Sequence, residues 1–245
     1  MLKAHRPLPI HPLAQGRNTI NFLVWHDIIV REQERLVWFD TTIKLFKAQC
    51  KQLEQAGAVP ITLNRALIWL QSGTQRPPKG AVVLCFDDNT TGILAHALPI
   101  LQDYNWHLTL SAHTDYIGVS TRKDHNTWEV LRKAYQANQI ELVNQTASHP
   151  PDLTKLTHHQ RSTDFQRSRR AFTKHLTHTP TGITYPSGKW NNAVIQDALD
   201  AGFTFGLTED HGVAESSANL MAIKRWSTHA RWTQCVKAVQ SSASL

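Results

Sequence analysis

The segment from Ala81 to Asn89 constrains the fold of this chain more than any other part of the sequence. It reads Ala-Val-Val-Leu-Cys-Phe-Asp-Asp-Asn, an apolar run that ends in two neighbouring carboxylates. Apolar runs of this kind are typical of strands covered on both faces, as in parallel sheets. Asp87 and Asp88 repel each other, so a cation or a shared proton normally accompanies such a pair. The segment therefore predicts a buried strand that ends in a polar site; an ordinary Asp-Asp-Asn turn is the alternative.

Strand and helix patterns alternate along the rest of the chain. Further strands are predicted at residues 19–25, 106–111, 139–143 and 181–185. Helices are predicted near residues 41–56, 64–71, 92–103, 127–137, 155–178 and 191–201. For the first helix, Asp40 is the expected N-cap and Gly57 the residue that ends it. The alternation favours one α/β domain built on a parallel sheet.

Two of the later strands also run into polar, turn-forming segments. Asn144–Pro150 reads Asn-Gln-Thr-Ala-Ser-His-Pro, and Pro186–Asn191 reads Pro-Ser-Gly-Lys-Trp-Asn. The carboxyl ends of parallel strands lie on one face of a sheet, which is where sites form in such folds. We therefore expect both segments to meet Asp87 and Asp88 at that face.

Four short motifs follow one another at these positions. They are Val-Trp-His-Asp-Ile at Val24–Ile28, Cys-Phe-Asp-Asp-Asn at Cys85–Asn89, Gln-Thr-Ala-Ser-His-Pro at Gln145–Pro150, and Ile-Thr-Tyr-Pro-Ser-Gly at Ile183–Gly188. Together they resemble the Met-Tyr-His-Asp/Glu, Thr-Phe-Asp-Asp-Gly, His-x-x-x-His-Pro and Phe-Ala-Tyr-Pro-Tyr-Gly motifs of the polysaccharide deacetylases (NodB homology, carbohydrate esterase family 4). The resemblance extends from about residue 20 to about residue 230. It implies a distorted (β/α) barrel of about seven parallel strands.

The same resemblance implies a metal-dependent hydrolase that removes acetyl groups from N-acetylated or O-acetylated sugars or polysaccharides. Asp87 would be the general base, and Asp88 and His149 would bind a divalent metal, with zinc as the expected ion. The backbone N–H of Ser187 would help to hold the tetrahedral oxyanion. The chemistry is sound in itself, because a cation lowers the pKa of bound water toward about 7 and a neighbouring carboxylate can take the proton.

The chain departs from the family pattern at several positions. Gln145 stands where the first metal-binding histidine is usual, and an amide oxygen is a neutral, weak ligand for zinc. Asn89 replaces a glycine and Ser187 replaces a tyrosine, while the family's fourth (Asp-x-x-Asp-Trp) and fifth (Leu-His) motifs have no evident counterpart. Two hypotheses therefore stay open: an active deacetylase in which Gln145 serves as a third ligand, and a degenerate member that binds carbohydrate without turnover.

Other histidines and aromatic residues near the predicted strand ends complete the candidate site. His26 follows the first strand, and His229 ends the last strand-like segment, residues 220–229. Either can act as an acid or as a replacement ligand; we assign His229 to catalysis and His26 to substrate binding. Tyr185 and Trp190 are expected to contact the sugar, although packing in the core is the alternative for any aromatic residue.

The charge of the chain and the distribution of its basic residues indicate which kinds of partner it binds. The net charge of +7 and the pI near 9.5 predict attraction to anionic surfaces or polymers. The basic stretch Arg161–Lys174 keeps Phe165 and Phe172 at helical spacing, which favours a solvated helix face over a nucleic-acid groove. We therefore expect a carbohydrate partner, an oligosaccharide or polysaccharide with acetylated amino sugars, and no nucleic acid.

Cysteine usage and the termini bear on location and boundaries. The three cysteines have no metal-type spacing, which favours reduced, packed thiols. No apolar signal core begins the chain and no apolar run reaches membrane-spanning length. The expectation is a cytoplasmic protein, whereas the family usually works in the cell envelope or outside the cell. We predict an N-terminal extension over residues 1–18 and a single domain over residues 19–240.

Overall fold

Strands and helices alternate through residues 19–216 and 218–244, the part of the chain that the computed structural model describes. The strands are β1 (Asn21–Trp25), β2 (Ile28–Ile29), β3 (Thr41–Thr42), β4 (Val59–Pro60), β5 (Ala81–Phe86), β6 (Leu108–Ala112), β7 (Ile140–Asn144), β8 (Gly182–Thr184), β9 (Phe205–Leu207) and β10 (Trp226–Ser227). The α-helices are α1 (Ile43–Gln55), α2 (Leu63–Ser72), α3 (Leu98–Asp103), α4 (Trp128–Gln136), α5 (His158–Leu176), α6 (Asn192–Asp200) and α7 (Thr228–Ser244). A π-helical turn, Ile93–Ala97, leads into α3.

Seven of the strands form one curled parallel sheet. Their order is β10–β1–β5–β6–β7–β8–β9, and the short β4 pairs with the beginning of β5. β2 and β3 form a separate parallel pair. Ile223, just before β10, bridges in parallel to Leu207 of β9, so the two edges of the curl come together. The predicted distorted (β/α) barrel of about seven parallel strands is confirmed.

Two apolar cores lie on the two sides of the sheet, because successive strand residues point to opposite faces. On the outer side, Leu84 and Leu110 pack with apolar residues of α1 and α7. On the inner side, Val24, Val83 and Val143 pack with one another and with α2. Residues that follow the carboxyl ends of the strands and keep this inward orientation point into the open end of the curled sheet, which we call the mouth.

The ends of α1 show one wrong prediction and one confirmed prediction. Thr42, and not Asp40, is the N-cap: its hydroxyl accepts the N–H of Leu45 at 3.2 Å. The Asp40 carboxylate is buried in an ion pair with Lys123 and is not available to the helix. Gly57 follows the helix with φ of 81°, the left-handed conformation that glycine adopts most readily.

Two of the five arginine and lysine residues of α5 pair with carboxylates within the fold. Arg161 is buried and paired with Asp197. Arg167 pairs with Asp115 at 2.7 Å and with Asp164 at 3.1 Å. The stretch therefore combines a solvated helix face, as expected, with basic residues that are paired inside the fold.

The C-terminal part is more helical than expected. The predicted strand-like segment 220–229 contains only the two-residue strand β10, and α7 begins directly after it. All three cysteines, Cys50, Cys85 and Cys235, are free and buried. Among the described residues, no helix combines the length and apolar character needed to cross a membrane. The N-terminal extension predicted for residues 1–18 lies outside the described residues.

Candidate active site

Strand alternation brings four polar side chains to the mouth of the curled sheet. His26 follows β1, Asp87 follows β5, His113 follows β6 and Gln145 follows β7. All four are buried, with 9%, 1%, 5% and 3% of their surface exposed. The structure thus brings together His26, Asp87 and Gln145, as the sequence predicted, and adds His113, which sequence reasoning missed.

Asp87 is held by an arginine that the sequence did not single out. Arg225, fully buried, donates from Nη1 to Asp87 Oδ1 at 3.0 Å and from Nη2 to Oδ2 at 2.7 Å. Its Nε donates to the carbonyl of Thr208 at 2.7 Å. Burial alone would lower the pKa of Arg225, but the facing carboxylate outweighs burial and raises it. The pair fixes the orientation of Asp87 and neutralises its charge.

Asp88 lies between an imidazole and an amide. His149 Nε2 stands 3.7 Å from Asp88 Oδ1. Gln145 accepts the backbone N–H of Asp88 through Oε1 and donates from Nε2 to Oδ1, both at 3.0 Å. Burial acts to raise the pKa of Asp88, but His26, His149, His113 and the Gln145 hydrogen bond outweigh it, and the pKa falls to about 2. Asp88 is therefore an anion throughout the physiological pH range.

The donors around Asp88 suit a divalent cation in kind, because a carboxylate and imidazole nitrogens are typical zinc ligands. These donors are fewer than the three protein ligands that a catalytic zinc site usually has. Within residues 19–216 and 218–244, no three His, Cys, Asp or Glu side chains stand together at metal-binding distance. Asp88 and His149 are the two predicted ligands that the fold brings close, and both atoms of the Gln145 amide are engaged by Asp88.

The loop after β7 is strained and firmly pinned. Thr146 and His149 have φ of 70° and 50°, a conformation that costs energy for residues other than glycine. The Thr146 hydroxyl accepts the N–H of His149 at 3.1 Å. From α5, Asp164 accepts the N–H groups of Ala147 at 2.9 Å and Ser148 at 3.1 Å. These bonds set the position from which His149 reaches Asp88.

His26 and His229 form an aromatic cluster with Trp38 and Phe39 on one side of the mouth. The ring centroids of His26 and His229 are 5.4 Å apart, and Trp38 stands 4.7 Å from His229. His229 lies in the first turn of α7, and its Nε2 is hydrogen-bonded to Ser227 Oγ at 2.8 Å. Trp38 is 67% exposed, so the cluster presents an aromatic surface beside the site.

His229 is neutral at pH 7 in this environment. Burial lowers its pKa first, His26 and His211 lower it further, and Asp87 only partly opposes them, so the pKa falls to about 4. A neutral imidazole accepts a proton more readily than it donates one. His229 therefore needs to gain a proton before it can act as the predicted acid.

The low pKa of His229 predicts acid-sensitive stability. Its folded pKa of about 4 is below the ordinary 6.5, so between these values the unfolded chain holds a proton that the folded chain lacks. The stabilising contribution is complete above pH 6.5 and is lost as the pH falls toward 4. We expect His229→Asn to flatten the decline of the unfolding free energy between pH 7 and pH 4.5, measured by urea titration. His159→Asn, at an exposed position, is the control; equal slopes in the native chain and His229→Asn would contradict the prediction.

Three further predicted site residues lie at or after β8. Ser187 is exposed in a left-handed turn with φ of 52°. Tyr185 is 1% exposed, and its hydroxyl donates to the carbonyl of Met221 at 2.8 Å, so it packs beneath the surface. Trp190 donates to Asp210 at 3.1 Å and lines a different cavity from the one that contains Asp88.

A cavity of about 280 Å³ opens over Asp88 and His149. Two loops cover it, residues 30–40 and residues 117–126, and we call them the roof. Lys123 joins the two loops: its ammonium pairs with Asp40 and stands 3.3 Å from Asp27. The roof and the strand ends together form a cleft with a charged floor.

We expect Lys123→Met to lower the free energy of unfolding by about 2 kcal/mol, because two nearly buried carboxylates lose their shared cation. Lys133→Met is a matched control, since Lys133 and Glu129 form an exposed pair on α4 at 2.7 Å. Removal of such a pair should change stability by less than about 0.5 kcal/mol. Urea unfolding of both variants checks this, and equal losses would show that the roof is not held by Lys123.

Comparison with known proteins agrees with this geometry. The family model described as polysaccharide deacetylase matches residues 74–206. The Bacillus subtilis (strain 168) protein YxkH, whose name places it among polysaccharide deacetylases, is 27% identical over 182 residues, which are 74% of this chain and 63% of that protein. A poly-beta-1,6-N-acetyl-D-glucosamine N-deacetylase of Staphylococcus aureus (strain MSSA476) is 25% identical over 191 residues, 74% of this chain and 64% of the relative. The chain therefore spans less than two thirds of the length of these relatives.

Solved structures support the same fold. IcaB from Ammonifex degensii aligns with a TM-score of 0.81 at 19% identity and covers 92% of this chain and 98% of its own. The Streptococcus pyogenes deacetylase PplD, solved in complex with acetate, aligns with a TM-score of 0.75 at 24% identity and covers 86% of this chain and 92% of its own. The family model extends over more than half of the chain and includes Asp87, Asp88 and His149. The chain belongs to the polysaccharide deacetylase family.

Proposed function

We propose that this chain is a hydrolase that removes acetyl groups from an N-acetylated or O-acetylated sugar or polysaccharide. It would use a divalent cation, and zinc is the ion that we expect. The observation that carries the proposal is the grouping of Asp87, Asp88 and His149 at the mouth of the barrel, where Asp88 and His149 line one cavity. The S. aureus relative is named for deacetylation of poly-beta-1,6-N-acetyl-D-glucosamine. An acetylated amino-sugar polymer is therefore the first substrate to test.

The residues of the site have distinct parts in this proposal. Asp87, oriented by Arg225, takes the proton of the attacking water. Asp88 and His149 would hold the divalent cation, which when bound would supply a Lewis acid and lower the pKa of water. The backbone N–H of Ser187 donates to the tetrahedral oxyanion. His229, neutral at pH 7, gains a proton from solvent and delivers it to the leaving amine or alkoxide, while Asp87 returns the proton of the attacking water to solvent.

The substrate would enter beside the aromatic cluster, whose Trp38 and Phe39 form one edge of the roof. His26 borders the entrance beside His229, and the exposed Trp38 offers a flat surface on which a sugar ring can stack. In this proposal Tyr185 supports the site from below, through its bond to Met221. Trp190 is a more distant sugar contact, in its separate cavity.

A degenerate protein that binds carbohydrate without turnover is the second candidate. The observation in its favour is the pair of hydrogen bonds between the Gln145 amide and Asp88. The bond that Gln145 Nε2 donates to Asp88 Oδ1 satisfies part of the carboxylate without a cation. In this candidate the cleft and its aromatic surface remain and acetate is never released.

Acetate release separates the two candidates. The native chain would be incubated with β-1,6-linked and β-1,4-linked N-acetylglucosamine oligomers and with stoichiometric Zn²⁺ or Co²⁺, and acetate would be measured enzymatically. Asp88→Ala serves as the inactive control. Acetate from the native chain alone supports the hydrolase. Binding of the oligomers by calorimetry without any acetate supports the carbohydrate-binding protein instead.

A further inference from the structure

We propose that His113, rather than Gln145, supplies the third side chain of a divalent-cation site with Asp88 and His149. The proposal deepens the proposed function, since the cation is the one that the deacetylase would use. It goes beyond the family pattern, in which the second and third ligands both come from the motif at residues 145–150. The chain would thus have moved one ligand from the end of β7 to the end of β6.

The Gln145 amide is already engaged by Asp88. Its Oε1 accepts the backbone N–H of Asp88, and its Nε2 donates to Asp88 Oδ1. To turn Oε1 toward a cation, the side chain would have to give up the first bond, and the backbone N–H would lose its partner. A buried N–H left without a partner is costly. Gln145 therefore acts best as a support that orients Asp88.

His113 lies at the carboxyl end of β6, in the middle of the sheet. β6 lies between β5, which leads to Asp88, and β7, which leads to Gln145. Ala112 is in register with Asn144, so His113 and Gln145 occupy neighbouring positions on adjacent strands. Ser111, two residues earlier, is hydrogen-bonded across the inner side to Thr184 at 2.8 Å. Alternation therefore directs His113 into the mouth, next to the position that lost its imidazole.

The His113 ring is buried beside His149 and Asp88. It is 5% exposed, and its Nδ1 has no hydrogen-bond partner among the residues that the structure describes. Its ring centroid is 5.0 Å from that of His149, and the two rings and Asp88 line the same cavity. Buried polar atoms without partners are rare, and each calls for an explanation such as an ion. Within the described residues the three side chains do not stand at metal-binding distance as a group, so binding requires the two imidazoles and Asp88 to converge.

His125 provides the matched control. It also belongs to this group of rings, with its centroid 5.4 Å from that of His113. However, its Nδ1 is hydrogen-bonded to the carbonyl of Val119 at 3.0 Å, and its half-buried ring lies in the roof. Its removal should leave cation binding unchanged.

The test measures affinity for Co²⁺ and Zn²⁺ by titration of the full chain, with the visible absorption of bound Co²⁺ as the readout. The variants are His113→Ala, His113→Gln, Gln145→Ala, His125→Ala and the double variant His113→Ala/Gln145→His. Loss of a ligand should weaken binding at least as much as the 10–100-fold typical of residues that only support ligands, so we expect about 100-fold or more for both His113 variants. Gln145→Ala, which removes only a support of Asp88, should lose about tenfold, the lower end of that range; His125→Ala should lose nothing, and the double variant should regain affinity. Thermal melts confirm that each variant is folded.

Each outcome decides the proposal. Weak binding in both His113 variants with recovery in the double variant supports it. His113 variants that keep native affinity, or a Gln145→Ala variant that loses as much as they do, overturn it, and so does a native chain that binds neither ion. Acetate release is a separate measurement. Tight binding through His113 without acetate would leave this site intact and remove the proposed function.

Discussion

Replacing Arg225 by methionine is expected to lower the free energy of unfolding by about 3–5 kcal/mol, as is typical when one partner of a buried ion pair is removed. The Asp87 carboxylate would lose two charge-assisted hydrogen bonds, at 3.0 Å and 2.7 Å, and would remain 1% exposed with no counter-charge. The carbonyl of Thr208 would lose a donor as well. Urea unfolding monitored by tryptophan fluorescence measures the loss.

Two further variants distinguish loss of the pair from loss of volume. The double variant Asp87→Asn/Arg225→Met removes both charges and should be more stable than Arg225→Met alone, because no buried charge is left unpaired. Arg225→Lys keeps a positive charge but loses the bidentate geometry, and its stability should lie between those of Arg225→Met and the double variant. If Arg225→Met and the double variant were equally stable, the cost would come from packing, and Arg225 would not be the group that holds Asp87 in place.

The parts of the fold that could be predicted are those with local signals. The apolar strand before Asp87 and the turn residues after β7 and β8 are contiguous in sequence, and their periodicity directly reflects burial. The motif at residues 145–150 likewise placed His149 near Asp88, which the structure confirms at 3.7 Å. The parallel sheet followed from the alternation of strands and helices, and its curl into a barrel followed from the resemblance to the deacetylase family.

Arg225 had no such signal. It is 138 positions from Asp87 in the chain, and the tertiary fold brings the two together by placing β10 beside β1, which in turn lies next to β5. In the sequence it stands beside Lys224, within a segment read as a strand, and nothing local distinguishes a buried arginine from an exposed one. Contacts of this kind depend on tertiary structure, and single-sequence patterns do not contain them.

His113 and Asp40 illustrate two other limits. A signal for His113 existed, since it lies two residues after a predicted strand, but fourteen histidines in one chain made it inconspicuous. Asp40 looked like an N-cap because aspartate before an apolar run usually is one. The competing partner, Lys123, lies 83 positions away, and a buried ion pair outweighs a cap that Thr42 can provide equally well.

Replacing Asp88 by alanine is expected to lower acetate release by about 1,000-fold or more. In the proposed function Asp88 is the only anionic ligand of the cation, and loss of about 4 kcal/mol of transition-state stabilisation corresponds to a thousandfold change in rate. Cation affinity should fall together with activity, because His149 and one further imidazole are neutral donors. Single-turnover acetate release and Zn²⁺ titration of the same preparation measure both effects.

Asp88→Asn makes this test more specific than alanine alone. An asparagine keeps an oxygen that can accept the Gln145 Nε2–H and keeps the backbone N–H that Gln145 Oε1 accepts, so the hydrogen bonds at 3.0 Å survive while the charge is lost. If the carboxylate acts through its charge on a cation, Asp88→Asn should be folded like the native chain and nearly as inactive as Asp88→Ala. If Asp88→Asn retained most of the native activity, Asp88 would serve only to hold Gln145 and the loop after β5, and the cation would have to be held elsewhere. The two neighbouring carboxylates would then have different tasks from those proposed: Asp87 would remain the candidate base, and Asp88 would be structural.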